Sequence, residues 1–182
     1  MTGTWALDAS DGELLVHTEV TGRAARMGHR LTIVMTRWRA LVTWAGAEPA
    51  GVELVVETNS LEVLRGEGGV KGLSGPEKAL ARSNALKSLD AGRFPDIRFV
   101  SDRISATEHG YRLSGKLHIR GKSREHAADL RTEDLGDTWQ MSAHTVVRQS
   151  DHGVRPYSLL MGSMQVADDV TLSFTAVHAK ER

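Results

Sequence analysis

The chain has 182 residues, a length that suits one domain of barrel or sandwich type with a sizeable core. Its 23 Lys and Arg balance 23 Asp and Glu, so no net field draws it toward nucleic acid or an anionic membrane surface. It has no cysteine, which removes disulfides, thiolate nucleophiles and cysteine-based zinc or iron–sulfur sites together.

The sequence opens with Met1-Thr2-Gly3-Thr4-Trp5-Ala6-Leu7-Asp8, and Asp8 and Asp11 interrupt any apolar run of leader length. No window holds 18 consecutive apolar residues, so no transmembrane segment is expected, and a cytoplasmic protein is. From there most of the sequence alternates with period two. Eight strands are predicted, over residues 13–20, 29–44, 52–61, 97–104, 111–120, 123–131, 138–148 and 168–179. The second changes phase: Leu31, Ile33 and Met35 are odd, whereas Trp38, Ala40, Val42 and Trp44 are even. A bulge or bend near Thr36–Arg37 reconciles the halves. In the third, Val52, Leu54 and Val56 share one face and Glu53 and Glu57 the other.

Gly66, Gly68, Gly69, Gly72 and Gly75 then mark a loop. Ser74 and Glu77 have capping-box spacing, Ala81, Ala85, Leu86 and Leu89 follow along one side, and Gly92 and Pro95 end the run. One inserted α-helix near residues 75–91 is predicted. Alternation returns in Tyr111, Leu113, Leu117 and Ile119, in Trp139, Met141, Ala143, Thr145 and Val147, and in Val170, Leu172, Phe174 and Ala176. One dry and one wet face per strand is the signature of antiparallel sheet. Eight such strands suit a closed barrel whose interior is packed or holds one small ligand.

Several ordered motifs add a resemblance that runs from Trp5 to about Ala179. They are Trp5-Ala6-Leu7-Asp8, Gly28-His29-Arg30-Leu31-Thr32, Asn59-Ser60-Leu61-Glu62-Val63 and Arg93-Phe94-Pro95-Asp96-Ile97-Arg98-Phe99-Val100-Ser101. Leu113-Ser114-Gly115-Lys116-Leu117-His118-Ile119-Arg120-Gly121-Lys122 and Arg148-Gln149-Ser150-Asp151-His152-Gly153-Val154 complete the set. In this order they resemble the YceI-like family, most closely its branch without a secretion signal. His152, where the family usually has Phe, and Arg30, where an acidic residue is commoner, depart from the pattern. The resemblance implies a single domain over residues 1–182, an eight-stranded antiparallel lipocalin-like β-barrel. It also implies a hydrophobic tunnel for a polyisoprenoid, an isoprenoid quinone or a similar lipid, often in a homodimer, with no cofactor and no catalysis.

On that reading the inner faces supply the ligand-binding residues: Leu31, Ile33, Trp38, Val42, Trp44, Val56, Phe99, Leu117, Trp139, Met141, Leu172 and Phe174. Tyr157, Leu160 and Met161 form a candidate flap over the mouth, and His17, His29 and Arg30 are candidate rim or headgroup residues. The same inner residues could instead fill a dry core, leaving a stress-related interaction module. The eight histidines form neither a His-x-His nor a His-Glu-x-x-His motif, so no metal site is expected. A hydrolase or metal-assisted enzyme would use His17 or His29. The loop Gly66-Glu67-Gly68-Gly69-Val70-Lys71 misses the dinucleotide fingerprint at Lys71, and no nucleophile elbow is present. Arg37-Trp38-Arg39 reads as one core Trp between two surface arginines rather than a nucleic-acid platform.

Overall fold

Alternating segments satisfy their backbone groups by pairing edge to edge, and among the described residues every strand pairing is antiparallel. The computed structural model describes residues 3–180. The strands are β1 (Thr4–Asp8), β2 (Gly12–His17), β3 (Val20–Thr21), β4 (His29–Met35), β5 (Trp38–Ala45), β6 (Glu48–Glu57) and β7 (Leu61–Gly68). After the helix α1 (Gly75–Ser88) come β8 (Asp96–Thr107), β9 (Gly110–Ile119), β10 (Lys122–Asp134) and β11 (Thr138–Arg148). The last are β12 (Ser158–Leu159), β13 (Met164–Val166) and β14 (Asp169–Ala179). Eleven of them form one sheet in the order β1-β5-β6-β8-β9-β10-β11-β14-β2-β4-β7, and β12, β13 and β3 form a small second sheet.

The main sheet has eleven strands where eight were expected, and bends account for the difference. The predicted strand 29–44 breaks at Thr36–Arg37 into β4 and β5, where its phase changes. The predicted strand 52–61 becomes the longer pair β6 and β7, interrupted by a 3-10 turn at Thr58–Ser60. β1 extends the first strand toward the N-terminus beyond a turn at 9–11, and the alternation had not marked it. Pairing carries on across the bends, since the Thr36 amide donates to the Ser60 carbonyl (3.1 Å) and the Glu57 amide to the Arg37 carbonyl (3.0 Å). β5 bonds to β6 while its continuation β4 bonds to β7, and β1 bonds to β5 while β2 bonds to β4. β14 bonds to β2, and β6 bonds to β8, so the sheet curls back onto itself as a barrel.

The helix lies between β7 and β8 and is pinned over one end of the barrel. Ser74 caps it: its Oγ accepts from the Glu77 amide at 3.3 Å and donates to Glu77 Oε1 at 3.0 Å. The Glu77 carboxylate therefore engages the Ser74 hydroxyl rather than its amide. Arg82 donates from Nε to the Leu61 carbonyl and from Nη2 to the Asn59 carbonyl, both at 2.7 Å, and Ala85, Leu86 and Leu89 pack on the core. That core gathers Leu7, Leu14, Ile33, Met35, Trp38, Ala40, Val56, Leu61, Met141 and Ala176. At its lower end Trp38 meets Phe174 edge to face (5.3 Å), and Trp5 packs on Trp44 (4.7 Å) and stacks on His178 (4.2 Å).

A bulge between Ser101 and Arg103 bends β8 against β9. The buried Ser101 hydroxyl donates to the Ser114 carbonyl at 2.8 Å, and a Cβ at Gly115 would lie 1.9 Å from the Val100 carbonyl oxygen. Gly115→Ala is therefore expected to cost about 1–3 kcal/mol through overpacking. At this chain length that lowers the thermal midpoint by roughly 2–12 °C, measurable by circular dichroism. An unchanged midpoint would show that the two strands do not approach so closely.

Candidate functional site

Above the aromatic floor the barrel is hollow. The inward residues enclose a cavity of about 540 Å³, within the size range of small-molecule sites and far larger than the voids of a close-packed interior. Its wall is drawn from β2, β4, β6, β8, β9, β10, β11 and β14, with Leu80, Ala81 and Ala85 contributed by α1 and Leu89 by the position that caps its C-terminus. Val20, Met27, Leu73, Leu159 and Met164 line its upper end, supplied by the connecting segments and the small sheet. The wall is overwhelmingly apolar. Among the described residues no lysine or arginine lines it, and Glu77 is its one carboxylate.

The cavity collects Leu31, Ile33, Val56, Phe99, Leu117, Tyr157, Leu172, Phe174 and His29 from the residues singled out in the sequence. The others lie elsewhere. Trp38 and Met141 are buried in the core beneath, Val42 packs against that core, and Trp44 pairs with Trp5. Trp139 sits under the Lys180 ammonium, 4.5 Å from the ring centroid. All five share the inward parity, but the barrel is filled at their depth. Leu160 and Met161 stand in solvent at a tip where both have positive φ (51° and 57°), so they do not close over the mouth. His17 faces outward, with Nε2 3.3 Å from Ser173 Oγ, and Arg30 pairs with Glu67 at 3.8 Å on the outside. His29 donates from Nε2 to the Lys71 carbonyl at 2.6 Å, which ties the glycine loop to β4.

Sequence reasoning placed Thr145 on the inward face and marked His152 as a departure from the family pattern, but passed over His126 and Gln149 as groups of the wall. β10 and β11 pair only from Leu130↔Ala143 to Asp134↔Trp139. Above that, β10 is laddered only to β9 and β11 only to β14, which leaves a seam in the barrel wall. Side chains close it. His126 Nε2 lies 2.8 Å from Thr145 Oγ1, and Arg124 Nε donates to the Asp151 carbonyl at 2.9 Å. His152, only 3% exposed, donates from Nδ1 to the Lys122 carbonyl at 3.0 Å. His126, Thr145, Gln149 and His152 all line the cavity. The alternation of His126 with Ala128 and Leu130 was the available signal for the first; His152 lies in a 3-10 turn, Gln149–His152, where no periodicity points. Burial pushes the His126 imidazole below its ordinary value, and the neighbouring His152 adds to the effect.

Among the described residues no group of three or more His, Asp or Glu is arranged to hold a metal ion, and no helix is long and apolar enough to cross a membrane. The geometry defines a class: an antiparallel β-barrel of lipocalin-like build, filled at one end and hollow at the other. Within that class the chain belongs to the YceI-like family, whose domain model matches residues 5–178. It is similar in structure to Burkholderia cenocepacia BcnA, with a TM-score of 0.71 at 18% identity over 95% of this chain and 99% of that one. It is also similar to a Campylobacter jejuni YCEI protein, with a TM-score of 0.61 at 14% identity over 82% and 85% of the two chains. A mutant CJ YCEI protein carrying a monobromobimane guest gives 0.60 at 15% identity over the same shares. At these identities the likeness carries the fold alone. No curated protein sequence matches the chain.

The lowered His126 value has a measurable consequence. The unfolded chain takes up the proton near the ordinary 6.5 and the folded chain only at lower pH, so stability is complete above that value and falls as pH drops toward the folded one. Thermal midpoints are expected to decline from pH ~7.5 to ~5.5, and His126→Gln should flatten that decline. An identical slope in the variant would show that another group is responsible.

Proposed function

We propose that this protein binds a long apolar lipid, such as a polyisoprenoid or an isoprenoid quinone, inside the barrel and carries or sequesters it without making or breaking bonds. The observation that carries this reading is the hollow of about 540 Å³ with an almost wholly apolar wall. Transfer of a hydrocarbon chain from water into such a wall contributes about 2.5 kcal/mol per 100 Å² buried. A long isoprenoid buries several times that area, enough to offset the cost of association without any charged anchor.

Two alternatives are less well supported. An interaction module with a filled interior does not account for the hollow. An enzyme built on His17 or His29 has less behind it, because His17 faces outward beside Ser173 and His29 Nε2 is committed to the Lys71 carbonyl.

Native mass spectrometry of the delipidated protein, reloaded with a long-chain polyprenol, tests the reading. One lipid per chain is expected to be retained. Ala143→Trp, which projects bulk from β11 into the cavity, should weaken binding by about tenfold or more, since overpacking and lost contact area act together. Val146→Thr, on the exposed outer face of the same strand, should leave it unchanged. A protein that holds no lipid, or Ala143→Trp binding as well as the unaltered chain, would remove the proposal.

A further inference from the structure

We propose that the outer surface around the cavity mouth is a docking face for an anionic lipid bilayer. The chain holds its most exposed apolar side chains at that end and sets cations beside them. Among the described residues the five large apolar side chains with the greatest exposure are Met161, Val70, Leu80, Met27 and Leu160. Val70 is 90% exposed and Met161 fully so. Leu80 and Met27 also line the cavity, which puts them at its opening.

The connecting segments that carry these tips are tied to one another. The Ala24 amide donates to the Ser163 carbonyl at 2.7 Å, joining the turn that holds Met27 to the one that holds Leu160 and Met161. His29 Nε2 donates to the Lys71 carbonyl at 2.6 Å, drawing the loop that holds Val70 to the start of β4. The tips therefore share one end of the molecule. Leu160 and Met161 both sit at positive φ, 51° and 57°, a backbone conformation that side-chain-bearing residues adopt at a cost. Apolar side chains held out in water on a strained turn gain nothing in the isolated chain, whereas a partner that accepts hydrocarbon gives them contact.

Charge identifies the partner. Residues 22–28, 69–73 and 155–163 hold Arg23, Arg26, Lys71 and Arg155, and no Asp or Glu. All four cations are exposed, and among the described residues none is in an ion pair. The carboxylates that border these segments are engaged: Glu67 with Arg30 and Arg65, and Glu77 with the Ser74 hydroxyl. A chain that is neutral as a whole thus sets four cations beside its apolar tips. Anionic headgroups over hydrocarbon complement that pattern, each cation near the surface and each inserted apolar side chain adding to the affinity. A bilayer docked there faces the cavity mouth, so a hydrocarbon guest could pass between the two without crossing water. That use rests on the lipid-binding reading; the docking itself does not.

The test is co-sedimentation of the full chain with vesicles of phosphatidylcholine alone, and of phosphatidylcholine with about one third phosphatidylglycerol. Binding to the anionic vesicles is expected to be about tenfold tighter than to the neutral ones, and to weaken as salt is raised. Met161→Asp and, separately, Val70→Asp should each lower it about tenfold, and Arg23→Glu with Arg26→Glu should remove the preference for anionic lipid. Leu135→Asp, at an exposed turn beyond the Asp134–Trp139 pair at the floor end of the barrel, should leave binding unchanged. A chain that sediments with neither vesicle, or Met161→Asp and Val70→Asp binding as well as the unaltered chain, overturns the docking face. Self-association that Met161→Asp abolishes, without vesicle binding, overturns it too and assigns the surface to a second copy of the chain. In each of these cases retention of a reloaded polyprenol, read by native mass spectrometry, leaves the lipid reading standing.

Discussion

A sheet with one apolar face can hide it by curling, and here the curl is made at three places where a strand bends without losing its partners. At Thr36–Arg37 and at Thr58–Ser60 two adjacent strands turn the same corner, linked by amide–carbonyl bonds across it. The turn at 9–11 lets β1 and β2 follow the two halves of β4–β5. These bends bring β14 against β2 and complete the wall. Without them the apolar residues of β4, β11 and β14 would face water rather than one another, and neither floor nor cavity would exist.

Closure divides the interior unevenly. The lower end holds three of the indole rings, the Phe174 edge contact and Met141, and is packed as a protein core ordinarily is. The upper end gives up that packing, and unfilled apolar volume costs stability because the wall atoms lack partners. A guest that supplies those contacts stabilises the folded state by mass action. The floor can thus carry the fold while the hollow remains available to a ligand.

The seam between β10 and β11 is where the wall is least regular. Side-chain bonds from His126, Arg124 and His152 replace a missing stretch of backbone ladder. Replacing amide pairs with imidazole and hydroxyl groups places polar atoms on the inner surface, where a continuous ladder would have left apolar ones. The polar patch of His126, Thr145, Gln149 and His152 in the cavity wall therefore lies beside an interruption of the sheet.

Period-two alternation determined much by itself: the antiparallel class, the inward face of almost every strand, and the break at Thr36–Arg37, while capping-box and helical spacing gave the helix after the glycine loop. It could not set depth. Trp139 and Met141 share a face with Ala143, Thr145 and Val147, yet the first two lie below the cavity and the last three line it. Alternation records on which side of a sheet a residue stands, whereas position along the barrel axis depends on how distant strands are staggered when the sheet closes. His152 and Gln149 illustrate the same limit, because a short turn has no period, and its neighbours across the seam are decided only by the folded chain.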